Sequence, residues 1–378
     1  MEKLNVCPST LQTGFSTYSP AALKLLFDGR PVSHILDFDS PNNESADNEA
    51  YLKNVGRISL SGVQPKASLI VNSNNQLVKP TENERGTYIL KPAPSSYALF
   101  ERKYCPANEH LTMQLASQVY HIETAANGLC FFRDGEAAYI CRRFDVGPDG
   151  RKYSQEDFAS LAGLTNANGG SDFKYNNLSY EECADIIRRY VKAAPVEIMR
   201  FFRIVVFNYL TLNDDAHLKN FSLINRGGGE YYLAPAYDLI NTSLHLGMPR
   251  IFALDKGLFK EGMQMSDTRT VSRKDFEEFG RRIGLAPRLI KRELDAFAAE
   301  LPLAKELIDR SFLSDALKRS YWLSYRYRRG TLAVCSSEFR ESLSKIPTLR
   351  CLIFRHSASV GGKNLGGFVF LLYFCIRK

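Results

Sequence analysis

The longest apolar pattern in the chain covers residues 195–212, where Ile198, Met199, Phe201, Phe202, Ile204, Val205, Val206, Phe207, Tyr209 and Leu210 occupy most of a helical surface. A helix that is apolar nearly all round is buried, so this one reads as the spine of an α-rich region. It runs into a polar cluster that contains Asp214, Asp215, His217, Lys219 and Asn220. The stretches 221–225 and 230–238 then alternate or run apolar, as strands do. Between them, Arg226-Gly227-Gly228-Gly229 tolerates positive φ, so the pattern predicts a hairpin that carries Asn220 and Asp238 back toward each other.

The same reading divides the rest of the chain. Ser19-Pro20 opens a short helix that ends near Gly29, and the polar, turn-rich stretch 37–47 reads as a linker. Residues 56–93 are β-rich, residues 107–120 predict a helix, and strands at 130–134 and 137–145 are joined by Gly135-Glu136. From residue 154 the pattern turns helical: Ser154 caps a helix with Asp157 three residues on, 165–173 is a glycine-rich loop, and amphipathic helices cover 181–194, 272–284, 287–301 and 303–328. The expected class is α+β, with a lead-in and linker at 1–55, a β-rich small lobe at 56–147, an α-rich large lobe at 148–332 and a basic tail at 333–378.

Composition narrows the function classes. At 378 residues and 44% hydrophobic content the chain can bury a sizeable core. No run reaches the ~18 apolar residues that a membrane span needs, and nothing at the start reads as a secretory signal. Eight scattered cysteines without a C-x-x-C pair predict reduced thiols of a cytoplasmic protein, neither a zinc site nor a disulfide framework. The net charge of +8 suggests nucleic acid until it is located: residues 318–378 carry +10 and the first 317 residues −2. The main body is not basic, so any DNA contact is expected to be indirect.

Several residues carry candidate chemistry. Asp215 and Asn220 are five apart, a spacing that lets one loop supply a carboxylate to orient a hydroxyl and an amide oxygen to hold a metal, with Asp238 as second ligand. Asp and Asn at that spacing also serve as turn residues, and spacing alone does not separate the two roles. Lys91 ends an apolar strand, which suits either a solvent-facing strand end or the cation that holds α- and β-phosphates. The loop 59–66 with its single Gly62 is either a hairpin turn or a cover over a phosphate. Glu109 sits in the first turn of its helix, where the dipole favours a carboxylate, and also within reach of a pairing with Lys91. His217 is either a packed loop histidine or a group that orients Asp215.

Taken in order, Ser59-Leu60-Ser61-Gly62-Val63-Gln64-Pro65-Lys66, Tyr88-Ile89-Leu90-Lys91, Asn108-Glu109, Arg143-Phe144-Asp145, Gln155-Glu156-Asp157, Asp215-Ala216-His217-Leu218-Lys219-Asn220-Phe221-Ser222 and Tyr237-Asp238 resemble the HipA family over about residues 5–332. That family comprises serine/threonine kinase toxins of bacterial type II toxin–antitoxin modules. The resemblance implies a bilobal fold like that of protein and phosphatidylinositol kinases, with ATP and Mg2+ as cofactors. It makes Asp215 the catalytic aspartate and Asn220 and Asp238 the magnesium ligands. Ser61, Gly62, Val63, Gln64, Lys66, Lys91, Arg143, Phe144, Asp145, His217 and Lys219 would join them around the nucleotide, and Ser59 and Ser61 would be self-phosphorylation sites.

By the same resemblance the substrate is a protein, an aminoacyl-tRNA synthetase, and the outcome is translation arrest. The partners are antitoxins, among them a DNA-binding HipB-like protein. Only about 55 residues precede the small lobe, as in the short HipT-like form, whose missing N-terminal subdomain a separate protein supplies. The tail from Cys335 has no counterpart in the family. An aminoglycoside-type small-molecule phosphotransferase shares the Asp-x4-Asn spacing and is the alternative enzyme. A pseudokinase that binds an antitoxin and DNA is the non-enzymatic alternative.

Overall fold

Period-two alternation builds the small lobe. In the computed structural model, which describes residues 4–41 and 64–333 except 83, 97, 148, 248–249 and 264–270, Ala67–Val71 (β1), Leu77–Val78 (β2), Tyr88–Pro92 (β3), Asn127–Phe131 (β4) and Ala137–Arg142 (β5) form an antiparallel sheet in the order β2-β1-β3-β5-β4. Successive side chains point to opposite faces. Leu69, Tyr88, Leu90, Cys130, Ala138 and Ile140 therefore bury on one side, and Ile89, Leu129, Tyr139 and Cys141 on the other. Lys91 shares the second side, opposite Tyr139 in the register.

Both faces are apolar, so both need cover. Helix α2 (Cys105–Gln114) covers the second face; all ten of its residues are buried, and it continues through a wider turn at Leu115–Val119. The N-terminal stretch covers the first face, with Tyr18, Leu26, Phe27, Val32 and Leu36 in one core with the sheet. Its helix α1 (Pro20–Phe27) is capped by Ser19, whose hydroxyl accepts from the Ala22 N–H at 3.2 Å. Tyr18 donates to the Leu129 carbonyl at 2.7 Å, and the Leu36 N–H donates to that of Phe131 at 2.8 Å. Sequence reading made this stretch a lead-in because its apolar residues are too irregular to show which face they cover.

The large lobe starts with β6 (Ser154–Asp157), which pairs with β7 (Ser222–Asn225), itself paired with β8 (Tyr232–Leu233). Around this sheet lie α3 (Phe158–Leu161), α4 (Asn166–Gly169), α5 (Phe173–Asn176), α6 (Tyr180–Tyr190), α7 (Ala194–Leu210), α8 (Arg273–Arg282), α9 (Pro287–Ala298), α10 (Pro302–Arg310) and α11 (Asp315–Leu332). Helix α7 is the predicted spine: Phe201, Phe202, Val206, Phe207 and Leu210 are fully buried, each worth about 1.5–3 kcal/mol of transfer free energy.

Three local expectations are corrected. Residues 154–157 form a strand, because they complete the edge of β7; the helix cap is Asp157, whose carboxylate accepts from the Ser160 N–H at 2.9 Å. The supposed loop at 165–173 contains α4 and leads directly into α5, each a single turn too short to show periodicity. The helix expected over 303–328 breaks at Ser311-Phe312-Leu313-Ser314, where Ser314 caps α11. The tail from residue 334 lies outside the described residues, and among those described no helix is long and apolar enough to cross a membrane.

His110 ties the N-terminal stretch to α2. Its Nε2 donates to the Ser9 carbonyl at 2.7 Å, Nδ1 has no hydrogen-bond partner among the described residues, and burial lowers the imidazole to about 4. Above the ordinary value of about 6.5 both folded and unfolded chains hold it neutral; below that value only the unfolded chain takes the proton. This group therefore removes stability as pH falls from about 6.5 to about 4, by up to about 1.4 kcal/mol per unit. His110→Gln keeps a donor without titrating, so its stability should fall less steeply across that window, read by urea unfolding at each pH. Parallel curves for the two proteins would contradict this.

Candidate active site

Strand alternation sends Lys91 from β3 toward α2, where Glu109 faces it. The ammonium is buried 2.5 Å from Glu109 Oε1, is hydrogen-bonded to Asp238 Oδ1, and lies 5.3 Å from the centre of the Tyr139 ring. Burial opposes charge on all three groups. Even so, Asp238 and Glu109 together hold Lys91 above its ordinary value. Burial would raise the Asp238 carboxyl, but Lys91 and Lys66 outweigh it and bring the group down to about 2. At Glu109 burial wins over Lys91 and the carboxyl is raised. Asp238 is thus the firmer counter-ion and Glu109 the softer one.

The loop after α7 is set by backbone geometry. Leu212 takes a left-handed conformation at φ 52°, and Asp238 another at φ 56°, conformations that cost ordinary residues about 1–3 kcal/mol and persist only where surroundings fix them. Those surroundings are visible. Thr242 Oγ1 donates to the Leu212 carbonyl at 2.7 Å, and Asn213 links the Asn208 side chain, the Asp215 N–H and the Asp238 carbonyl. Asp214 accepts from the Arg250 N–H at 2.7 Å. Asp215 is buried, accepts a 2.6 Å hydrogen bond from the Tyr175 hydroxyl, and its carbonyl accepts from the His217 N–H at 2.8 Å.

The β7–β8 hairpin closes through Gly227, Gly228 and Gly229, all at positive φ, and returns the chain so that Asn220 Nδ2 lies 3.4 Å from Asp238 Oδ2. Asn220 Oδ1 is buried with no hydrogen-bond partner among the described residues. An orphaned amide oxygen next to a carboxylate is an incomplete donor set. It fits magnesium, which takes one or two protein oxygens and fills its remaining positions with water and phosphate. Among the described residues no group of three or more His, Cys, Asp or Glu makes a closed metal cage.

The remaining sequence candidates distribute unevenly. Gln64 is buried and donates to the Pro92 carbonyl at 3.0 Å, beside Lys91. Arg143 grips Asp145 at 2.9 and 2.6 Å, and the Phe144 ring lies 5.5 Å from that of Tyr237. His217 packs edge-on against Tyr175 at 5.1 Å, and neither of its nitrogens has a hydrogen-bond partner among the described residues. Lys219 turns outward to Asp157 at 2.7 Å. Ser59, Ser61, Gly62 and Val63 lie outside the described residues.

Other contributors had no role assigned from the sequence, although Asn108, Gln155, Ser222 and Tyr237 stand in its motifs. Asn108, next to Glu109, donates to the Asn241 carbonyl at 2.8 Å and accepts from the Asn241 N–H at 3.2 Å. Its amide also meets His245 Nε2 at 2.9 Å, while His245 Nδ1 meets the Phe100 carbonyl at 2.9 Å. The carbonyl can only accept, so Nδ1 carries the proton and Nε2 accepts from Asn108. Gln155 donates to Ser222 Oγ at 3.1 Å, and Ser222 pairs with the Tyr237 hydroxyl at 2.6 Å. No local signal marks His245 or Tyr175, because their partners are distant in sequence.

Comparison with known proteins places the chain in a family. The model of the HipA-like C-terminal domain matches residues 58–304. A Haemophilus influenzae protein named “Putative kinase” is 28% identical over 292 residues, 73% of this chain and 82% of that protein. A Sinorhizobium fredii protein named “Putative kinase Y4dM” is 32% identical over 216 residues, 53% of this chain and 49% of that one, so this match spans about half of the relative. Among solved structures, the Shewanella oneidensis MR-1 toxin–antitoxin complex of HipA, HipB and operator DNA contains a chain that superposes with a TM-score of 0.56 at 20% identity, covering 77% of this chain and 70% of that one. That likeness shows the fold, an α+β bilobal kinase-like architecture with a β-rich small lobe and a helical large lobe. The chain belongs to the family of HipA-like C-terminal domains.

Proposed function

We propose that this protein is an ATP-dependent serine/threonine protein kinase that acts as the toxin of a bacterial type II toxin–antitoxin module. The observation that carries the reading is the convergence of buried Lys91 and Asn220 on the part-buried Asp238, with Asp215 on the same loop as Asn220. Asp215 would accept the proton of a substrate hydroxyl and fix its direction of attack. Asn220 and Asp238 would hold magnesium, which when bound with ATP draws charge from the β- and γ-phosphate oxygens. Lys91 would move part of its pairing from Asp238 to phosphate, and Glu109 would keep it in place as it does so. Asp145 would release Arg143 to take ribose hydroxyls, next to Phe144 at the base.

The finer parts of the proposal rest on family membership. The substrate is a serine on an aminoacyl-tRNA synthetase, self-phosphorylation at Ser59 or Ser61 limits activity, and antitoxins including a HipB-like DNA-binding protein neutralise it. A small-molecule phosphotransferase is the reading it competes with. Phosphoproteomics after brief expression, comparing the chain with Asp215→Ala, separates them. The expected result is one dominant new phosphoserine on a tRNA synthetase, absent with Asp215→Ala. Growth arrest by Asp215→Ala equal to that of the native chain would remove the kinase assignment.

The charge arrangement makes a separate prediction about folding. Lys91→Met leaves the buried Glu109 and the part-buried Asp238 without their cation, so the nucleotide-free protein should lose about 3–5 kcal/mol. Adding Glu109→Gln to Lys91→Met should return part of that loss. Urea unfolding of the native chain and both variants checks it, and undiminished stability in Lys91→Met would contradict the buried pairing.

A further inference from the structure

The phenol of Tyr175 ends on the residue with the most to do. Tyr175 lies in α5, is buried, and donates to Asp215 Oδ1 at 2.6 Å. A buried tyrosine hydroxyl needs some partner, and a backbone carbonyl can serve. Two neighbours do just that: Tyr180 donates to the Ala216 carbonyl at 2.9 Å, in the same loop as Asp215, and Tyr209 donates to the Val271 carbonyl at 2.9 Å. Tyr175 instead spends its proton on a carboxylate.

The mounting of Tyr175 is also specific. Its ring stands edge-on to His217 at 5.1 Å, and its carbonyl accepts from the Asp255 N–H at 2.9 Å. Five residues earlier, the Arg250 N–H donates to Asp214 at 2.7 Å. The segment from Arg250 to Asp255 therefore fastens both the residue before Asp215 and the tyrosine that holds Asp215. A carboxylate can rotate about its last bond, and one oxygen fixed by a rigid phenol leaves the other with a defined direction.

We propose that Tyr175 is a positioning residue: its hydroxyl holds Asp215 Oδ1 and so sets the orientation in which the carboxylate meets the substrate hydroxyl. The inference rests on the phosphoryl-transfer reading of Asp215. It assigns a function to the stretch between β6 and α6, whose short helices carry Tyr175 in from the side of the large lobe.

ADP formation from ATP and magnesium by the full chain, with the KM for ATP and the Tm measured alongside, tests it. Tyr175→Phe keeps the ring and removes the donor, so kcat should fall about 10- to 100-fold, the range for a lost hydrogen bond to a charged group, with KM and Tm unchanged. 4-Aminophenylalanine incorporated at position 175 still donates and should recover turnover, which also separates lost donation from lost folding. An unchanged kcat in Tyr175→Phe, or a loss that follows Tm and is not recovered by the amine, overturns the inference. A native chain that forms no more ADP than Asp215→Ala removes the phosphoryl-transfer reading and this inference with it.

Discussion

A buried ammonium between two carboxylates is the constraint on which the rest of the molecule depends. Lys91 comes from the small-lobe sheet, Glu109 from the helix over that sheet and Asp238 from the segment after the large-lobe hairpin. None of the three charges is comfortable alone in a low-dielectric interior, and each is tolerated because the others are present. Burial of this kind is a weak source of net stability. What it does in this structure is join three elements, the small-lobe sheet, the helix over it and the segment after the hairpin, at one point.

The same placement leaves chemistry unfinished in one spot. Asn220 Oδ1 is buried without a partner among the described residues, beside Asp238, and two non-glycine residues, Leu212 and Asp238, hold left-handed conformations on either side of the loop. Unmet polar atoms and local strain are expensive, and folded proteins keep them where a ligand completes the arrangement. Elsewhere the lobe is conventional, with serine-capped helices and an aromatic spine in α7. What points to function is the coincidence in one loop of an unpartnered Asn220 Oδ1, a neighbouring Asp238 carboxylate and two left-handed non-glycine residues.

Much of this was legible in the sequence, for reasons that differ by element. The apolar surface of α7 and the triple glycine after β7 are local signals, so the spine and the hairpin were readable, and with them the approach of Asn220 to Asp238. The sequence left Lys91 open between a solvent-facing strand end and a buried cation, and it raised the pairing with Glu109 that the structure shows; strand alternation beside α2 decides for burial. Residues 154–157 were misread because a Ser-x-x-Asp pattern suits a helix start, whereas the outcome was decided by the distant ladder with β7. Tyr175 was silent, because its partner lies 40 residues away and nothing in its own neighbourhood distinguishes it from an ordinary core residue; Asn108 stood in a motif, but its partner 133 residues away left its role unread. In the N-terminal stretch the Ser19-capped helix was readable, but not the sheet face it covers, since covering a face requires apolar residues and no fixed period.

The central claim is that Asn220 and Asp238 form half of a magnesium site that needs the nucleotide to complete it. Calorimetric titration of ATP into the full chain and into Asp238→Asn, each with and without magnesium, tests this most directly. Magnesium should tighten ATP binding to the native chain and lose that effect in Asp238→Asn. ATP affinity that ignores magnesium in the native chain, or a magnesium effect undiminished in Asp238→Asn, would contradict the account.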